Sequence, residues 1–370
     1  MLDRAQKLRQ PIDKSSKILE IGPSCNPITP KLEGWQSFVV DHATKEDLIE
    51  KYKLDSSVNT INIEEVDFVW QRGYLHESLP KSQLGTFDVC IASHVIEHIP
   101  DLVGFFISLE RILRPEGVVS LAVPDKRFCF DYFKPITTTG ELLSAHETER
   151  ARHSKKTAFD FLAYGVRNGG QHAWGRHPVA ELTFLTSLAD AKRAFDGQDE
   201  SDEATPYVDF HAWHFTPASF KLIVLELAVL GIIDFHIAEY FAPEGCEFFA
   251  VLRTGRPHFA SEEALQAQRL ALLKGTLMDA REQIAFSADN GGGDNPLMEG
   301  LIRRLDEQAV LIRRLDDQTE LFRRLDEQAE HLRDIAEVAA WARKMLRPLR
   351  AGWLHLLPIR RSVARLRGRI

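Results

Sequence analysis

The strongest constraint on the fold is the alternation, over residues 17–123, of short apolar runs with segments of helical spacing. This rhythm is typical of βαβ units, in which helices connect parallel strands. A helix is predicted over Asp101–Leu113, before a turn at Arg114–Gly117. Strands are predicted at Lys17–Ile21, Ser37–Asp41, Ile63–Val69, Phe87–Ala92 and Val118–Val123. The sequence therefore predicts the α/β fold class, built on a parallel sheet.

An insertion of about 80 residues interrupts this alternation at 126–208, and its length favours a lid or binding element, with a disordered segment as the alternative. The alternation then returns. A helix capped by Thr216 and two closing strands are predicted over residues 217–230, 234–241 and 247–253. The α/β domain is therefore expected to occupy residues 1–255.

The C-terminal third differs in composition. Residues 256–300 are predicted to be a helical segment that passes into a flexible linker, ADNGGGDNP. Three similar decads follow, LIRRLDEQAV, LIRRLDDQTE and LFRRLDEQAE. Their recurring Leu and Ile side chains favour a coiled-coil stalk over 301–340, and hence a homo-oligomer. A solvated helix held by Asp/Glu–Arg pairs is the alternative.

Charge is distributed unevenly along the chain. The net charge of −8 includes nine basic residues after Glu337, where no acidic residue occurs. Without these nine, 37 basic residues face 54 acidic ones, which gives residues 1–337 a charge of −17. An acidic body argues against nucleic acid as a partner.

The basic tail, residues 341–370, has an amphipathic pattern. Its apolar stripe consists of Ile359, Val363, Leu366 and Ile370, and arginines occupy the positions between them. Such a helix is typical of segments that lie on an anionic membrane surface. Docking on a protein partner, or on the acidic body of the same protein, is the alternative.

The sequence indicates a cytoplasmic protein. Its four cysteines are scattered, which favours free thiols in a reducing compartment. The first residues, MLDRAQKLRQPIDK, contain no apolar core of a secretory signal. No apolar run approaches the ~20 residues that a membrane span needs. With the basic tail, the expected location is the inner face of the cell membrane, as a peripheral protein.

A ligand site is predicted at the ends of the first strands. Gly22 follows the first strand in ILEIGP, where glycine permits a tight turn and close approach of a ligand. Asp41 and Asp67 are each predicted to end one of the next two strands, and an acid at such a position can accept both ribose hydroxyls. Ser24 and Pro27 stand where a dinucleotide fingerprint needs glycine, so a nucleoside without pyrophosphate is favoured.

These segments support a family resemblance. LEIGPSCNP, FVVDHA, EVDFVW, FDVCIASHVIEHIPD and LRPEGVVSLAVPDKR resemble, in order, the motifs of the class I S-adenosylmethionine-dependent methyltransferases. The most similar branch is the one found with bacterial surface-polysaccharide (O-antigen or capsule) biosynthesis. The resemblance implies a Rossmann-like seven-stranded sheet and S-adenosylmethionine as the cofactor. Ser24 replaces the usual second glycine of the loop.

The resemblance also implies roles for individual residues. In cofactor binding, it assigns the methionine end to Glu20, Gly22 and Pro23, the ribose to Asp41, the adenine to Asp67 and Phe68, and the rim after the fourth strand to Ala92, Ser93 and His94.

Methyl transfer to a sugar hydroxyl needs a general base, for which histidine is the commonest choice. The candidates are His94, His211 and Asp125. His98 is interpreted as a structural hydrogen-bonding residue. The segment containing His211 and His214 is interpreted equally well as a packed loop or as an acceptor-binding wall.

Two further interpretations concern charged residues. Lys126 and Arg127 are candidates for holding an anionic acceptor, and a solvated turn is the alternative. No metal-ligand spacing stands out, so no metal site is predicted, although Asp125, Asp209 and His211 are a conceivable set around a cation.

The expected function is O-methylation of a sugar in a bacterial surface glycan or glycolipid, at the membrane surface. Two alternatives stay open: a non-catalytic methyltransferase-like scaffold in a membrane-associated assembly, and a methyltransferase for a lipid or small molecule.

Overall fold

The computed structural model describes residues 2–288 except residues 57, 178, 180 and 199–207. The predicted stalk at 301–340 and the predicted tail at 341–370 lie outside the described residues, as do residues 289–300, which include all of the predicted linker except Ala288.

A seven-stranded sheet forms the centre of the described structure, in the order β3-β2-β1-β4-β5-β9-β8. The first five strands in this order pair in parallel, while β9 is antiparallel to both β5 and β8. The seven-stranded sheet is confirmed. Its strands are β1 (Lys17–Ile21), β2 (Gln36–Asp41), β3 (Phe68–Val69), β4 (Phe87–Ser93), β5 (Leu113–Pro124), β8 (Phe235–Glu244) and β9 (Glu247–Thr254); β6 (Val166–Asn168) and β7 (Leu182–Phe184) form a separate pair.

Helices cover the sheet on both faces. Along β1, Leu19 and Ile21 pack into the larger apolar cluster, and Ile18 packs into the smaller one on the other face. A strand that is buried on both faces is apolar at consecutive positions, as this one is. The helices are α1 (Arg4–Arg9), α2 (Lys45–Tyr52), α3 (Leu102–Ile112), α4 (Thr139–Glu147), α5 (Lys155–Tyr164), α6 (Leu188–Gly197), α7 (Pro217–Val229) and α8 (Glu262–Ala288).

Capping signals set the ends of the two core helices. The Asp101 carboxylate accepts the Gly104 N–H at the start of α3. Thr216 caps α7 in a capping box with Ser219, and Pro217 occupies the first turn, where its missing N–H costs no hydrogen bond. Both helices therefore begin where the sequence predicts.

Two strands differ from the prediction. β3 contains only Phe68 and Val69, because the stretch before it forms a 3₁₀ turn at Thr60–Asn62 and a loop. β5 begins at Leu113, and the predicted turn is an irregularity inside that strand. Glu116 takes a φ of 64° there, and the pairing with β4 changes register between Leu113 and Val118. The turn residues were correctly placed, but they form a bulge rather than a strand boundary.

The insertion at 126–208 contains helices α4, α5 and α6 and the β6–β7 hairpin. A small apolar cluster of Tyr132, Val166, Trp174 and Val179 packs inside it. The insertion therefore has local structure of its own between β5 and α7.

Helix α8 belongs to the same compact unit as the sheet. Its Asp279 carboxylate accepts the Ala218 N–H at the start of α7, and its Arg269 pairs with Glu226 at 2.7 Å. The structural domain therefore extends beyond residue 255, where the sequence placed its end. The prediction of a helix after residue 256 agrees with α8.

A buried ion pair joins α8 to the end of β5. Both carboxylate oxygens of Asp125 accept hydrogen bonds from the Arg127 guanidinium, at 2.8 and 2.5 Å, and neither side chain is more than 1 % exposed. The same guanidinium donates to Asp279 and Glu282 of α8.

Among the described residues, no helix combines the length and the hydrophobicity required to cross a membrane.

Replacing Asp125 with Asn should lower the free energy of unfolding by about 3–5 kcal/mol, because it leaves a buried guanidinium without its main counter-charge. Denaturant unfolding of the full chain measures this. The matched control is Asp196→Asn, which breaks the exposed Lys192–Asp196 pair and should change stability little. If both variants unfold at the same denaturant concentration as the parent, the Asp125–Arg127 pair does not hold this turn.

Candidate active site

The loop after β1 has the backbone that a close-fitting ligand requires. Gly22 takes a φ of 62°, and a Cβ atom there would lie 3.0 Å from Val95 Cγ2. Ser24 also takes a left-handed φ, of 47°. The loop therefore keeps, at the cost of some strain, a backbone that favours glycine at the position where the sequence has serine.

Glu20, in β1, holds this loop in place by hydrogen bonds. Its buried carboxylate accepts hydrogen bonds from the backbone N–H groups of Ile28 and Thr29 and from the Thr29 hydroxyl. With these bonds, both oxygens are engaged within the protein. Glu20 was predicted to line the methionine end of the cofactor, but its carboxylate instead fixes the course of the loop that contains Gly22 and Pro23.

Asp41 ends β2 beside the same loop, as predicted. One carboxylate oxygen accepts the N–H and Nδ1–H groups of His42, both at 2.7 Å. The other lies 3.4 Å from the Ser24 N–H, a long contact that leaves this oxygen able to accept a stronger hydrogen bond. This geometry fits a carboxylate that receives ribose hydroxyls.

Asp67 does not end a strand, which corrects the prediction. It precedes β3, level with Val39 in the middle of β2, and its carboxylate accepts the Val39 N–H at 2.7 Å and pairs with Lys31 at 2.6 Å. Phe68 stacks on Phe38 at 6.2 Å against the apolar cluster. The Asp67 side chain therefore joins two strands, and the Phe68 ring packs on the core.

Of the residues predicted at the rim of the fourth strand, Ala92 and Ser93 are the last two residues of β4 and His94 follows it. Ala92 is buried in the sheet, and Ser93 accepts a hydrogen bond from Arg4. His94 has a φ of 54°, and its Nε2 atom lies 2.8 Å from Glu247 Oε2 at the start of β9. Glu247 also accepts a hydrogen bond from Arg4 at 2.7 Å. An imidazole–carboxylate pair is thus held at the edge of the loop site.

Opposing effects act on the pKa of His94. Burial lowers it, but the hydrogen bond to Glu247 and the charge of Glu97 outweigh burial, so the pKa is raised. The carboxylates around this imidazole therefore favour its cationic form.

The segment 210–216 is both packed and part of a polar cluster. The Ala212 N–H donates to the Glu97 carbonyl at 2.7 Å, and the Trp213 indole donates to the Ile99 carbonyl at 2.6 Å. The His211 Nδ1 atom lies 2.5 Å from Asp131 Oδ2. Burial lowers the pKa of His214 to about 3, so that ring is neutral near pH 7. His211, rather than His214, lies in one cluster with Glu97 and His98.

Asp131 is the buried anion of this cluster. Burial acts to raise its pKa, but the charges of His211 and Lys134 outweigh burial and hold that pKa well below its usual range. Lys134 Nζ lies 2.6 Å from Asp131 Oδ1. Sequence reasoning did not identify Asp131, because it lies inside the insertion with no motif around it.

Asp125, Lys126 and Arg127 do not face the site, which corrects three interpretations. Asp125 is enclosed with Arg127 and is not positioned to take a proton from an acceptor. The Lys126 ammonium donates to the Tyr132 carbonyl at 2.8 Å, and burial lowers the pKa of Lys126 to about 8. Neither cation is exposed to an anionic acceptor.

The structure brings Glu97, His98 and His211 together. One donor atom of each lies within 4.8 Å of the other two. Asp209 approaches His98, with its Oδ1 atom 2.9 Å from Nδ1. Asp125, which the sequence grouped with Asp209 and His211, lies in the ion pair with Arg127 instead. Sequence reasoning did not identify Glu97 and interpreted His98 as structural. The spacing of His94, Glu97 and His98 in HVIEH is the signal that could have indicated this cluster, since residues three and four apart share a face of a helical turn.

A family model described as a methyltransferase domain matches residues 1–199, which is more than half of the chain. The chain belongs to this methyltransferase family. The match includes the loop after β1, Asp41 and the HVIEH segment.

Solved structures similar to this methyltransferase were also found. One is named as a zinc-dependent alcohol dehydrogenase of Rhodobacter sphaeroides, with 12% identity, a TM-score of 0.38, and coverage of 70% of this chain and 91% of that chain. A second is a SAM-dependent methyltransferase of Methanosarcina mazei, with 14% identity, a TM-score of 0.34, and coverage of 69% and 100%.

A third is the 1,6-didemethyltoxoflavin-N1-methyltransferase of Burkholderia thailandensis, with 1,6-didemethyltoxoflavin and S-adenosylhomocysteine bound. It has 12% identity, a TM-score of 0.33, and coverage of 68% of this chain and 76% of that chain. The search of curated proteins gave no match. The family assignment rests on the sequence match alone.

S-adenosylmethionine is the cofactor of this methyltransferase, and the site residues fit it. The left-handed loop at Gly22 and Ser24 brings backbone close to the ends of β1 and β4. Asp41 presents a carboxylate at the end of the neighbouring strand β2. An enzyme of this family accounts for these features, whereas a non-catalytic scaffold does not require them.

Asp41→Ala should weaken binding of S-adenosylhomocysteine about 10- to 150-fold for each ribose hydroxyl that the carboxylate receives, because each charged hydrogen bond contributes about 1.5–3 kcal/mol. Calorimetry on the full chain measures this. Asp47→Ala, which removes an exposed carboxylate from α2, is the control and should not change affinity. Equal affinity in the Asp41 variant and the parent would show that the ribose binds elsewhere.

Proposed function

We propose that this methyltransferase O-methylates a hydroxyl group of a sugar in a bacterial surface glycan or glycolipid. The observation that carries this proposal is the His94–Glu247 pair, at 2.8 Å, beside the cofactor loop. A hydroxyl acceptor must lose its proton during transfer, so its methylation benefits from a base at this point.

His94 is the base that the geometry favours. Its side chain is 36% exposed, whereas that of His211 is 9% exposed and lies against Asp131. Glu247 holds Nε2 of His94 and leaves Nδ1 to accept a proton. The carboxylate also stabilises the imidazolium that forms, as a buried acid does in a catalytic triad.

S-adenosylmethionine supplies an electrophilic methyl group on a cationic sulfur. The remaining task of the protein is to place the acceptor oxygen in line with that group and to remove its proton. The loop after β1 positions the donor, and the rim after β4 supplies the base. These two elements follow neighbouring strands, at the carboxyl edge where open α/β sheets bind ligands.

The insertion supplies an acceptor wall. Phe130 and Phe161 are half-buried and contact the His211 ring at 4.7 and 5.8 Å between centroids. An aromatic surface with a few polar groups is typical of sites for ring-shaped ligands. This arrangement supports a sugar acceptor that packs an apolar face on the phenyl rings.

His94→Gln should lower kcat about 10²- to 10⁴-fold while S-adenosylhomocysteine affinity stays near that of the parent, because glutamine keeps a polar side chain but cannot take the proton. Single-turnover methylation with a radiolabelled donor measures the rate. His76→Gln, which changes a buried histidine bonded to Ser108 outside the site, is the matched control. Parent-like turnover in His94→Gln would show that another group removes the proton.

The proposed setting is the inner membrane face, and the tail supports it. The nine basic residues after Glu337, with the apolar stripe among them, have the composition of a segment that binds anionic lipid. The acidic body is repelled by the same surface, so the methyltransferase domain is expected to stand away from it. The proposed homo-oligomer through 301–340 would multiply such contacts.

Replacing five arginines of the tail by Gln should weaken binding to anionic vesicles about fivefold per residue, since each contributes about 1 kcal/mol near such a surface. The five are Arg360, Arg361, Arg365, Arg367 and Arg369. Vesicle co-sedimentation at low and high salt measures binding. The control removes five arginines from the decads, Arg303, Arg304, Arg313, Arg314 and Arg323. If the two variants bind alike, or if the parent protein ignores anionic vesicles at low salt, the tail is not a membrane anchor.

A further inference from the structure

Glu97 is a buried carboxylate without a hydrogen-bond donor. Its side chain is 1% exposed, and within the part of the chain that the structure describes no donor reaches either oxygen. A buried charge without compensation is costly, and buried carboxylates are normally paired or bound to a metal. The nearest imidazole nitrogens, those of His94 and His98, lie 3.7 and 3.8 Å from Glu97 Oε1, beyond hydrogen-bond distance.

His98 and His211 each lie against a second carboxylate. Asp131 lies 2.5 Å from Nδ1 of His211, and Asp209 lies 2.9 Å from Nδ1 of His98. Each ring thus keeps its Nε2 atom for a ligand bond. A carboxylate behind the imidazole is the usual support of a metal-binding histidine, because it fixes the ring and raises its basicity.

We infer that Glu97, His98 and His211 form a binding site for one divalent transition-metal ion. Metal–nitrogen and metal–oxygen bonds of about 2.1 Å in a tetrahedron place donor atoms about 3.4 Å apart. The separation of 3.8 Å between His98 Nε2 and Glu97 Oε1 is close to this value, and all three donors lie within 4.8 Å. Small side-chain rotations bring the three donors onto one ion.

The donor set selects the class of metal. Two imidazoles and one carboxylate suit Zn²⁺ and its neighbours, whereas Mg²⁺ and Ca²⁺ prefer oxygen donors. Three protein ligands leave a coordination position open, as in catalytic zinc sites. His94 Nδ1 is 3.7 Å from Glu97, so the open position lies near the proposed base.

The role of the ion in catalysis rests on the function proposed above. An acceptor hydroxyl at the open position would have its pKa lowered by the cation, as bound water does in zinc enzymes. The hydroxyl proton would then pass to His94 Nδ1, and the oxygen would form its new bond to the methyl carbon as the carbon–sulfur bond breaks. Metal binding itself requires no acceptor, so it is measured separately.

The test is calorimetric titration of the full chain, freed of metal with a chelator, with Zn²⁺, Mg²⁺ and Ca²⁺ in turn. We expect one Zn²⁺ per chain and much weaker binding of the other two. Co²⁺ is used as a visible probe, and its absorption spectrum should show nitrogen ligation in a site of low coordination number.

Three variants assign the site. Glu97→Gln keeps the shape of the side chain and should weaken Zn²⁺ binding at least about 100-fold, because it removes a metal ligand rather than a supporting group. Asp209→Asn removes only the support of His98 and should weaken it about 10- to 100-fold. His146→Gln is the matched control, because His146 also pairs with a carboxylate, Asp101 at 2.9 Å, but lies outside the cluster.

Absence of a Zn²⁺ equivalent in the parent protein overturns the inference, as does parent-like affinity in Glu97→Gln. If Glu97→Gln fails to fold, Asp209→Asn decides, since the Asp209 side chain is half-exposed and its replacement is tolerated more easily. Zn²⁺ binding with these losses supports the site even if no sugar acceptor is ever methylated.

Discussion

The ion pair between Asp125 and Arg127 fixes the backbone directly after β5, where the chain enters the insertion. The geometry of the site depends on this contact. With Arg127 also bound to Asp279 and Glu282, β5, the following turn and α8 are joined in one network. A buried pair of this kind contributes little net stability compared with apolar packing, but losing one partner is expensive. Its effect is therefore to define one path for the insertion.

That path determines the chemistry of the histidines. Four residues after Arg127, Asp131 is buried under His211 and holds Nδ1 of that ring at 2.5 Å. His211 lies in one cluster with Glu97 and His98, and the Glu97 carbonyl accepts the Ala212 N–H at 2.7 Å. The insertion thus orients a histidine that belongs to the segment before α7. Sheet, insertion and closing segment each supply part of one polar cluster.

Sequence reasoning succeeded where the signal was local. β1 was predicted residue for residue, and α7 was predicted to its first residue, because an apolar run and a Thr-Pro cap are each contained in a few neighbouring positions. It failed where contacts between residues distant in sequence determine the role of a side chain. Asp125 was predicted as a candidate general base at a strand end, and only the contacts of Arg127 with Asp125 and with α8 show otherwise. The roles of Asp131 and Glu97 depend on their position beside His211, which lies 80 residues away from Asp131 in the sequence.

Backbone strain occurs in the same two loops, after β1 and β4, that carry the candidate site residues. Of the described residues other than glycine, four have positive φ, and two of them, Ser24 and His94, follow the neighbouring strands β1 and β4. Each such residue costs about 1–3 kcal/mol and persists only when its surroundings impose it. The His94 N–H donates to the Ala122 carbonyl of β5 at 3.0 Å, and Glu247 of β9 holds its ring, so contacts from two strands fix both the strained backbone and the imidazole. A fold that needed only stability would place glycine at both positions. Serine and histidine instead bear side chains at two strained positions, which flank the carboxyl ends of the neighbouring strands β1 and β4.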